Sequence, residues 1–511
     1  MKKQILQLLA LSALLLGTAC ELETVEYGKI DPSTFPKSKE DADALVISAA
    51  YHPFNTWNMF NTGWGYPMLS FMQTDEMECS WPACYIGFDM TGAGGYPVTD
   101  ESRTPLYYHS KYLSGMMLAI DRIKDVPMTD AERAGLNAEL RCGMGFLAFM
   151  LYDLYGPISL PNLEALKDPL SDAKIPRATE TEMQAFIESN LLAAAPDLPY
   201  KYDESGYGRF TKGCANMVLL KYYMMARRWK DAVRIGRELT KKDYGYELVP
   251  DYHSLFTLAG EKNTEVIFSA TAKNGYGMTH SWLAHTLPSD FPVPAGLNLM
   301  QWGVFHLSWP FYDTFEAGDR RLEKIYAEYT GTTGTVHSRA DRSNADRTGL
   351  YYGPVPLKYG LEGTIGQECE IDIPVYRYAD AITLLAEAIV RDGEVVTDEA
   401  LEYLNQVRRR VGLAEYTMGQ VPTVAKFLEV LLAERGHELY MEGARRQDLI
   451  RHGKFIQVNE TKMRFAGVLT DARLQKIYQK TDGFRYDYER LPIPIGIVNQ
   501  GGGVILQNPG Y

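Results

Sequence analysis

The chain has 511 residues, with 52 Lys and Arg against 65 Asp and Glu for a formal net charge of −13, and 46% of it is hydrophobic. That length and that ordinary hydrophobic fraction suffice for a large core in one globular body or two closely joined halves. The acidic balance, with no basic run to offset it, excludes a surface built to neutralise nucleic-acid phosphates.

At the start, Lys2 and Lys3 precede an apolar run from Ile5 to Leu16 and then Gly17-Thr18-Ala19-Cys20. This is the layout of a secretory signal peptide, assigned to residues 1–19. The apolar run is too short to span a bilayer, which takes about 20 residues. Small residues directly before a cysteine resemble a bacterial lipobox, so Cys20 is expected to be the lipidated first residue of the mature chain. One departure is Gly17 at the third position before Cys20, with the leucine displaced to Leu16. Residues 20–39, with Glu21, Glu23, Glu26, Pro32 and Pro36, read as a polar tether. No later stretch reaches spanning length, so contact with the membrane is expected through the lipid anchor alone.

A first helix is predicted over Glu40 to Tyr51, with Ala44, Ile47 and Tyr51 on one side. From Pro53 to Pro105 periodicity is lost. Trp57, Trp64, Tyr66, Trp81, Tyr85 and Tyr96 are scattered among Asn, Gly and Pro, which predicts a long ordered loop region of the kind that usually carries function. Cys79 and Cys84 within it can bridge in an oxidising exterior or remain thiols. With Cys142, Cys214 and Cys369 they are odd in number and lack zinc-site spacing.

A strong helix is predicted from Ala138 to Tyr155, apolar on all sides and stopped by Gly156 and Pro157. Pro176 to Leu198 reads as the next. Ala215, Leu219, Tyr222 and Ala226 place a helix after Thr211, and Ala232, Gly236 and Leu239 another after Trp229. Glu265 to Phe268 is a predicted strand. Asn274 to Pro310 is aromatic-rich loop, and Thr330 to Thr348 is a polar connection expected to be partly disordered. Helical rhythm returns at Tyr378, Ile382, Leu385 and Ile389, then at Ala400, Leu404 and Val407. Small residues at these offsets permit close helix packing, and the segments 138–195, 211–240, 377–411 and 423–452 form four tetratricopeptide-like helix pairs.

The last pair holds Glu434 to Lys454, ERGHELYMEGARRQDLIRHGK. Val424, Leu428, Leu431, Arg435 and Leu439 share a helix face, so an apolar stripe runs through the cluster Glu434, Arg435, Glu438 and Glu442. Gly443 is expected to cap that helix, and Arg445 to Arg451 to begin another. His437-Glu438 starts a zinc HExxH pattern, but the second histidine position is Met441, so the metal reading fails on spacing. A buried ion-pair cluster locking two helices is the expected role, with Arg neighbours keeping the carboxylates ionised.

This stretch resembles the signature of SusD/RagB lipoproteins, nutrient-binding partners of TonB-dependent transporters. The segment LYDLYGPISLP, RYAD at Arg377 to Asp380, LNQVRRRVGL at Leu404 to Leu413, and the final QNPGY are similar to the same family. The resemblance runs from Cys20 to Tyr511. It implies a mainly α, SusD-like fold over residues 40–511: the four helix pairs, plus a loop-rich ligand-binding part near 53–105 and 269–376 with a few short strands. It also implies a protein that captures carbohydrate, or less often peptide, at the cell surface and closes over a SusC-like barrel, with no catalysis and no organic cofactor. The acidic residues behind Cys20 resemble the export tag that places such lipoproteins on the outer face of the outer membrane.

Sugar binding needs aromatic faces for C–H groups and polar side chains for hydroxyls. Gln73 to Trp81 offers that combination through Asp75, Glu76 and Trp81, with Tyr85 and Asp89 behind. Asn274, Tyr276, His280, Trp282 and Trp302 form a second group, and Trp64 a further aromatic. Trp81 and Tyr276 rank first, Tyr276 because Gly275 and Gly277 flank it. The rival reading is a glycosidase using Asp75, Glu76 or Glu78, whose carboxyls must stand about 5 to 9.5 Å apart. There is no GxSxG elbow, phosphate loop or metal-ligand spacing among the 9 His to support other chemistry.

Overall fold

The computed structural model describes residues 35–80, 105–341, 348–458, 489–509 and 511. Helix α1 (Lys39–Val46) starts at a capping box in which the Ser38 hydroxyl accepts from the Asp41 N–H and the Asp41 carboxylate accepts from the Ser38 N–H. One wider turn, Ile47–Tyr51, continues it, so the helix predicted over 40–51 is two segments. The loop region beyond is not bare: it contains α2 (Tyr66–Phe71) and the strand β1 (Met77–Cys79).

Helices α3 (Lys111–Ile123) and α4 (Asp130–Tyr155) follow. The prediction began α4 at Ala138, but Thr129 and Glu132 close a capping box that moves its start to Asp130. From Cys142 to Tyr155 every residue is buried, as an all-round apolar helix requires. Next come α5 (Glu180–Ala194), α6 (Lys212–Met225), α7 (Trp229–Leu239), α8 (Tyr378–Gly393), α9 (Asp398–Arg410), α10 (Val424–Leu439) and α11 (Arg445–Arg451). The pairs α4/α5, α6/α7, α8/α9 and α10/α11 each pack together, and α5 on α6, α7 on α8 and α8 on α10 join them. Gly236 sets the α7/α8 approach: a Cβ there would lie 2.8 Å from a Leu385 methyl.

Strands are short. β2 (Val266–Ala270), β3 (Phe305–Leu307), β4 (Glu328–Thr330), β5 (Val336–Ser338) and β6 (Ile373–Arg377) make antiparallel ribbons with their partners. β1 pairs with β3 through Met77 opposite Leu307, and β2 with β6 through Ile373 opposite Ala270. β4 and β5 form a hairpin in the segment expected to be partly disordered, while 342–347 lies outside the described residues. A ring cluster joins helices to ribbon: Phe146 of α4 stacks on Phe54 at 4.6 Å and meets Phe268 of β2 at 5.6 Å and Tyr376 of β6 at 5.3 Å. Each such ring buries enough apolar surface to contribute about 1.5–3 kcal/mol.

Candidate functional site

The charged corner of α10 and α11 is buried, and it joins distant parts of the chain. Glu438 receives Arg321, Arg377 and Arg410, and Arg377 also grips Glu442 at 2.7 and 2.8 Å. Arg435 holds Asp448 at 2.7 and 3.0 Å and Asp380 at 2.8 Å, and Arg451 holds Glu387 at 2.7 Å. Burial alone would raise Glu438, but Arg410, Arg377 and Arg321 outweigh it and hold the carboxyl at about 2. Asp448 sits at about 2 for the same reason, with Arg435 and Arg451 outweighing burial. Each of these carboxylates is spent on guanidinium, so the cluster fastens the fold.

Two of the expected ligand residues belong to this fastening. The Asp75 carboxylate accepts two hydrogen bonds from Arg445, at 2.8 and 2.7 Å. Glu76 is 0% exposed, and its carboxylate accepts from the Met441 N–H. Burial pushes Glu76 up to about 8, which the Met441 bond and the charges of Arg445 and Lys358 only partly offset. Neither carboxyl is presented as a sugar contact: Asp75 is tied to arginine, and Glu76 lies in the core. Together they pin the end of the 53–80 loop region to the corner after α10.

That pinned region presents aromatic surface. Asn55 builds its turn, its side-chain oxygen accepting from the Trp57 N–H at 3.1 Å and the Asn58 N–H at 2.8 Å. Asn61 accepts from the Gly63 N–H at 2.8 Å, and the Gly65 N–H donates to the Asn61 carbonyl at 2.7 Å. Only glycine fits at 65, because a Cβ would lie 2.3 Å from that carbonyl oxygen. The turn brings Trp57 and Trp64 together with centroids 5.9 Å apart and planes at 87°, and they remain 57% and 41% exposed. Large rings are normally covered, so two exposed tryptophans in contact form an aromatic surface rather than core.

The second loop group is laced to the first. The Thr62 and Ser281 hydroxyls are 2.8 Å apart, and the Ser281 N–H donates to Thr62 Oγ1 at 3.2 Å. Tyr276 stands 74% exposed on a turn whose Gly275 and Gly277 both take positive φ. Asn274 secures that turn by donating to the Gly363 carbonyl at 3.0 Å, and the Met300 N–H donates to the Gly366 carbonyl at 2.7 Å. Met300 and Ile365, on the loops joined by that bond, are exposed.

The other sequence candidates divide. Trp282 is 1% exposed, packed against Phe71 at 5.4 Å and Phe305 at 6.3 Å, and is a core residue, not a platform. His280 is buried with Nε2 2.8 Å from the Ile371 carbonyl, and burial lowers it to about 3. Trp302 is half-buried against His285, with centroids 4.7 Å apart. Trp64 and Tyr276 are on the surface. Trp81, Tyr85, Asp89, Cys84 and Cys20 lie outside the described residues. Trp57 was not among the candidates; its signal is the run NTWNMFNTGWG, two tryptophans across an Asn/Gly turn. The described segment before Trp81 ends on the β1/β3 ribbon, where the Ser80 N–H donates to the Val304 carbonyl at 2.9 Å.

Comparison with known proteins places this arrangement in a group. The sequence model of the SusD family matches residues 265–511. The chain is 31% identical to the starch-binding protein SusD of Bacteroides thetaiotaomicron over 436 residues, covering 75% of this chain and 74% of that protein. A solved SusD homolog of Bacteroides thetaiotaomicron superposes with a TM-score of 0.75 at 20% identity, over 94% of this chain and 98% of that one. The surface glycan-binding protein A of the same organism, solved with laminarihexaose, superposes with a TM-score of 0.70 at 20% identity, over 93% and 100%.

Proposed function

This chain belongs to the SusD/RagB family, and we propose that it is a surface lipoprotein that captures a glycan and passes it to a SusC-like TonB-dependent transporter. The observation that carries the reading is the exposed Trp57–Trp64 pair on its asparagine-built turn, laced to the loop that presents Tyr276. Tryptophan faces at right angles offer two planes for sugar C–H groups, and the Asn58 amide next to Trp57 is half-buried. The glycan-binding structural neighbour solved with laminarihexaose, and the starch-binding relative, support the ligand class.

The family consists of binding proteins, and the arginine-held Asp75 and buried Glu76 do not form an accessible acid/base pair. We therefore assign capture without turnover. Anchoring is assigned to a lipid on Cys20, at the outer face of the outer membrane; no helix among the described residues is long and apolar enough to cross a membrane. We carry Trp81 and Tyr85, which follow Ser80 in the chain, forward as further ligand-binding candidates.

The test is a binding screen of the protein beginning after Cys20 against plant, host and microbial polysaccharides, by affinity electrophoresis with calorimetry on any hit. A hit lost on Trp57→Ala or Tyr276→Ala, with no reducing ends released, supports the assignment. Released reducing ends would replace it with hydrolysis, and binding confined to peptides would replace the ligand class.

A further inference from the structure

Two depressions meet at Tyr246. One, of about 460 Å³, opens between the 200–209 loop, the turn at 244–246 and β2. The other, of about 530 Å³, lies between 246–250, the start of α8 at Tyr378 and the end of α9 at Gln406 and Arg409. Each has the size of a small-ligand site. None of the residues lining them belongs to the tryptophan turn or to the Tyr276 turn.

A row of tyrosines runs through the join. Tyr200 stands edge-on to Tyr244 with centroids 4.9 Å apart, Tyr244 stacks on Tyr246 at 5.9 Å, and Tyr246 lies 6.2 Å from Tyr378. The sequence holds this row in place. Gly245 takes a φ of 66°, in the left-handed region, and so turns the chain between Tyr244 and Tyr246. Gly213 of α6 leaves room for the Tyr246 hydroxyl, which a Cβ there would meet at 1.9 Å. The Tyr244 hydroxyl accepts from the Asn216 amide at 2.7 Å. Tyr200 nevertheless keeps 39% of its surface in solvent, and Tyr246 and Tyr378 are half-buried.

The charges around the row leave no surplus of cations. Lys262 pairs with Glu204, Arg209 with Glu139 and Asp43, Arg409 with Glu415 at 2.7 Å, and Arg410 with Glu265 at 2.8 Å and with Glu438. Two further cations are Lys201 on the lining and Lys212, which stands over the Tyr200 ring from outside it. Against them stand Asp203, which accepts only N–H and O–H bonds and stays ionised, Glu247 on the second depression, and Asp372 and Glu261 at Tyr207. An anionic sugar would gain nothing from this balance. The Gln406 amide, with no hydrogen-bond partner among the described residues, is an uncharged donor and acceptor suited to a hydroxyl.

We propose that the joined depressions form a second, weaker carbohydrate groove that holds an uncharged oligosaccharide along the tyrosine row. The inference rests on the glycan-capture reading for its ligand class and on the groove alone for its location. Sugar C–H groups lie against the rings, and hydroxyls meet Lys201 at one end and Gln406 at the other. Rings fixed by glycine and by their own hydrogen bonds lose little freedom when a ligand arrives.

The test is calorimetry of the protein beginning after Cys20 with maltohexaose, laminarihexaose and xylohexaose, and with tetragalacturonate as an acidic probe. It is run on the parent and in a Trp57→Ala/Trp64→Ala background, each with and without Tyr200→Ala or Gln406→Ala. Tyr200 is exposed and Gln406 makes no hydrogen bond among the described residues, so thermal melts of these variants are expected to match their parents. In the tryptophan-free background at least one uncharged hexaose is expected to keep residual binding that changes little with salt. Tyr200→Ala is expected to weaken that residue of binding about tenfold or more, and Gln406→Ala about threefold or more. The proposal is overturned if no hexaose binds the tryptophan-free protein, which would leave the loop face as the capture site. It is also overturned if the residual binding ignores Tyr200→Ala, or if tetragalacturonate binds there as tightly as the hexaoses. Parent affinity that survives loss of both tryptophans and falls with Tyr200→Ala would instead remove the loop-face reading and leave the groove.

Discussion

Replacing Arg377 with Met tests whether the buried charge cluster is a fastening. Arg377 is fully buried and donates to Glu265, Glu438 and Glu442. Summing charge-assisted bonds at about 1.5–3 kcal/mol each overshoots, because no carboxylate is left alone. Glu265 keeps Arg410, Glu438 keeps Arg321 and Arg410, and Glu442 keeps Lys358. Breaking a buried pair costs about 3–5 kcal/mol, and the remaining partners place Arg377→Met at the low end, about 3 kcal/mol. With an unfolding entropy near 2.1 cal/mol/K per residue over roughly 470 residues, that lowers Tm by about 3 °C. Scanning calorimetry measures the drop, and glycan affinity below the transition is expected to match the parent. An unchanged Tm, or lost affinity at unchanged Tm, would refute the fastening role.

The depressed Glu438 and Asp448, both near 2, contribute stability that is present above their unfolded values and lost as pH falls through the folded ones. Tm is therefore expected to fall between about pH 5 and pH 2, with Arg435→Met flattening that limb in melts across pH. Glu76 has the opposite sign: raised to about 8, it costs stability as pH rises from its unfolded value toward 8. Glu76→Gln keeps an acceptor for the Met441 N–H and, counting its unpartnered amide, is expected to stabilise the protein on the order of 2 kcal/mol at pH 8 and to destabilise it on the order of 1 kcal/mol at pH 5, where little of the carboxyl's pH-dependent cost remains to be removed; equal melts at both pH values would contradict this. Gly65→Ala drives a methyl into the Asn61 backbone and is expected to cost about 2 kcal/mol and to disperse the Trp57–Trp64 pair, read as a changed near-ultraviolet circular dichroism spectrum with loss of binding.

The mainly helical fold was legible because helix burial leaves a period in the sequence, as in the all-round apolar run of α4. The buried role of the 434–451 charges was legible for the same reason, since an apolar stripe passes through them. The end of α10 was not. Gly443 does take positive φ, but the helix stops at Leu439 and Met441 also turns left-handed, where Glu76 from the far end of the chain takes its N–H. Local signals carry no record of such a contact. Within the loops, composition flagged aromatic surface but not which ring is outside: Trp282 lies under Phe71 and Phe305, while Trp57 was passed over and is open. Burial of a loop aromatic depends on tertiary partners, and no period announces it. The β2/β6 ribbon shows the same limit: a strand was foreseen over Glu265 to Phe268, against Val266–Ala270 observed, and its partner was not.

The most direct test of the capture reading is calorimetry of the protein beginning after Cys20 against the glycans that score in the screen, comparing the parent with Trp57→Ala/Trp64→Ala. The account predicts binding without release of reducing ends, and loss of at least about tenfold in affinity in the double variant at an unchanged melting temperature. Full affinity in that variant would contradict it and take the binding face away from these tryptophans.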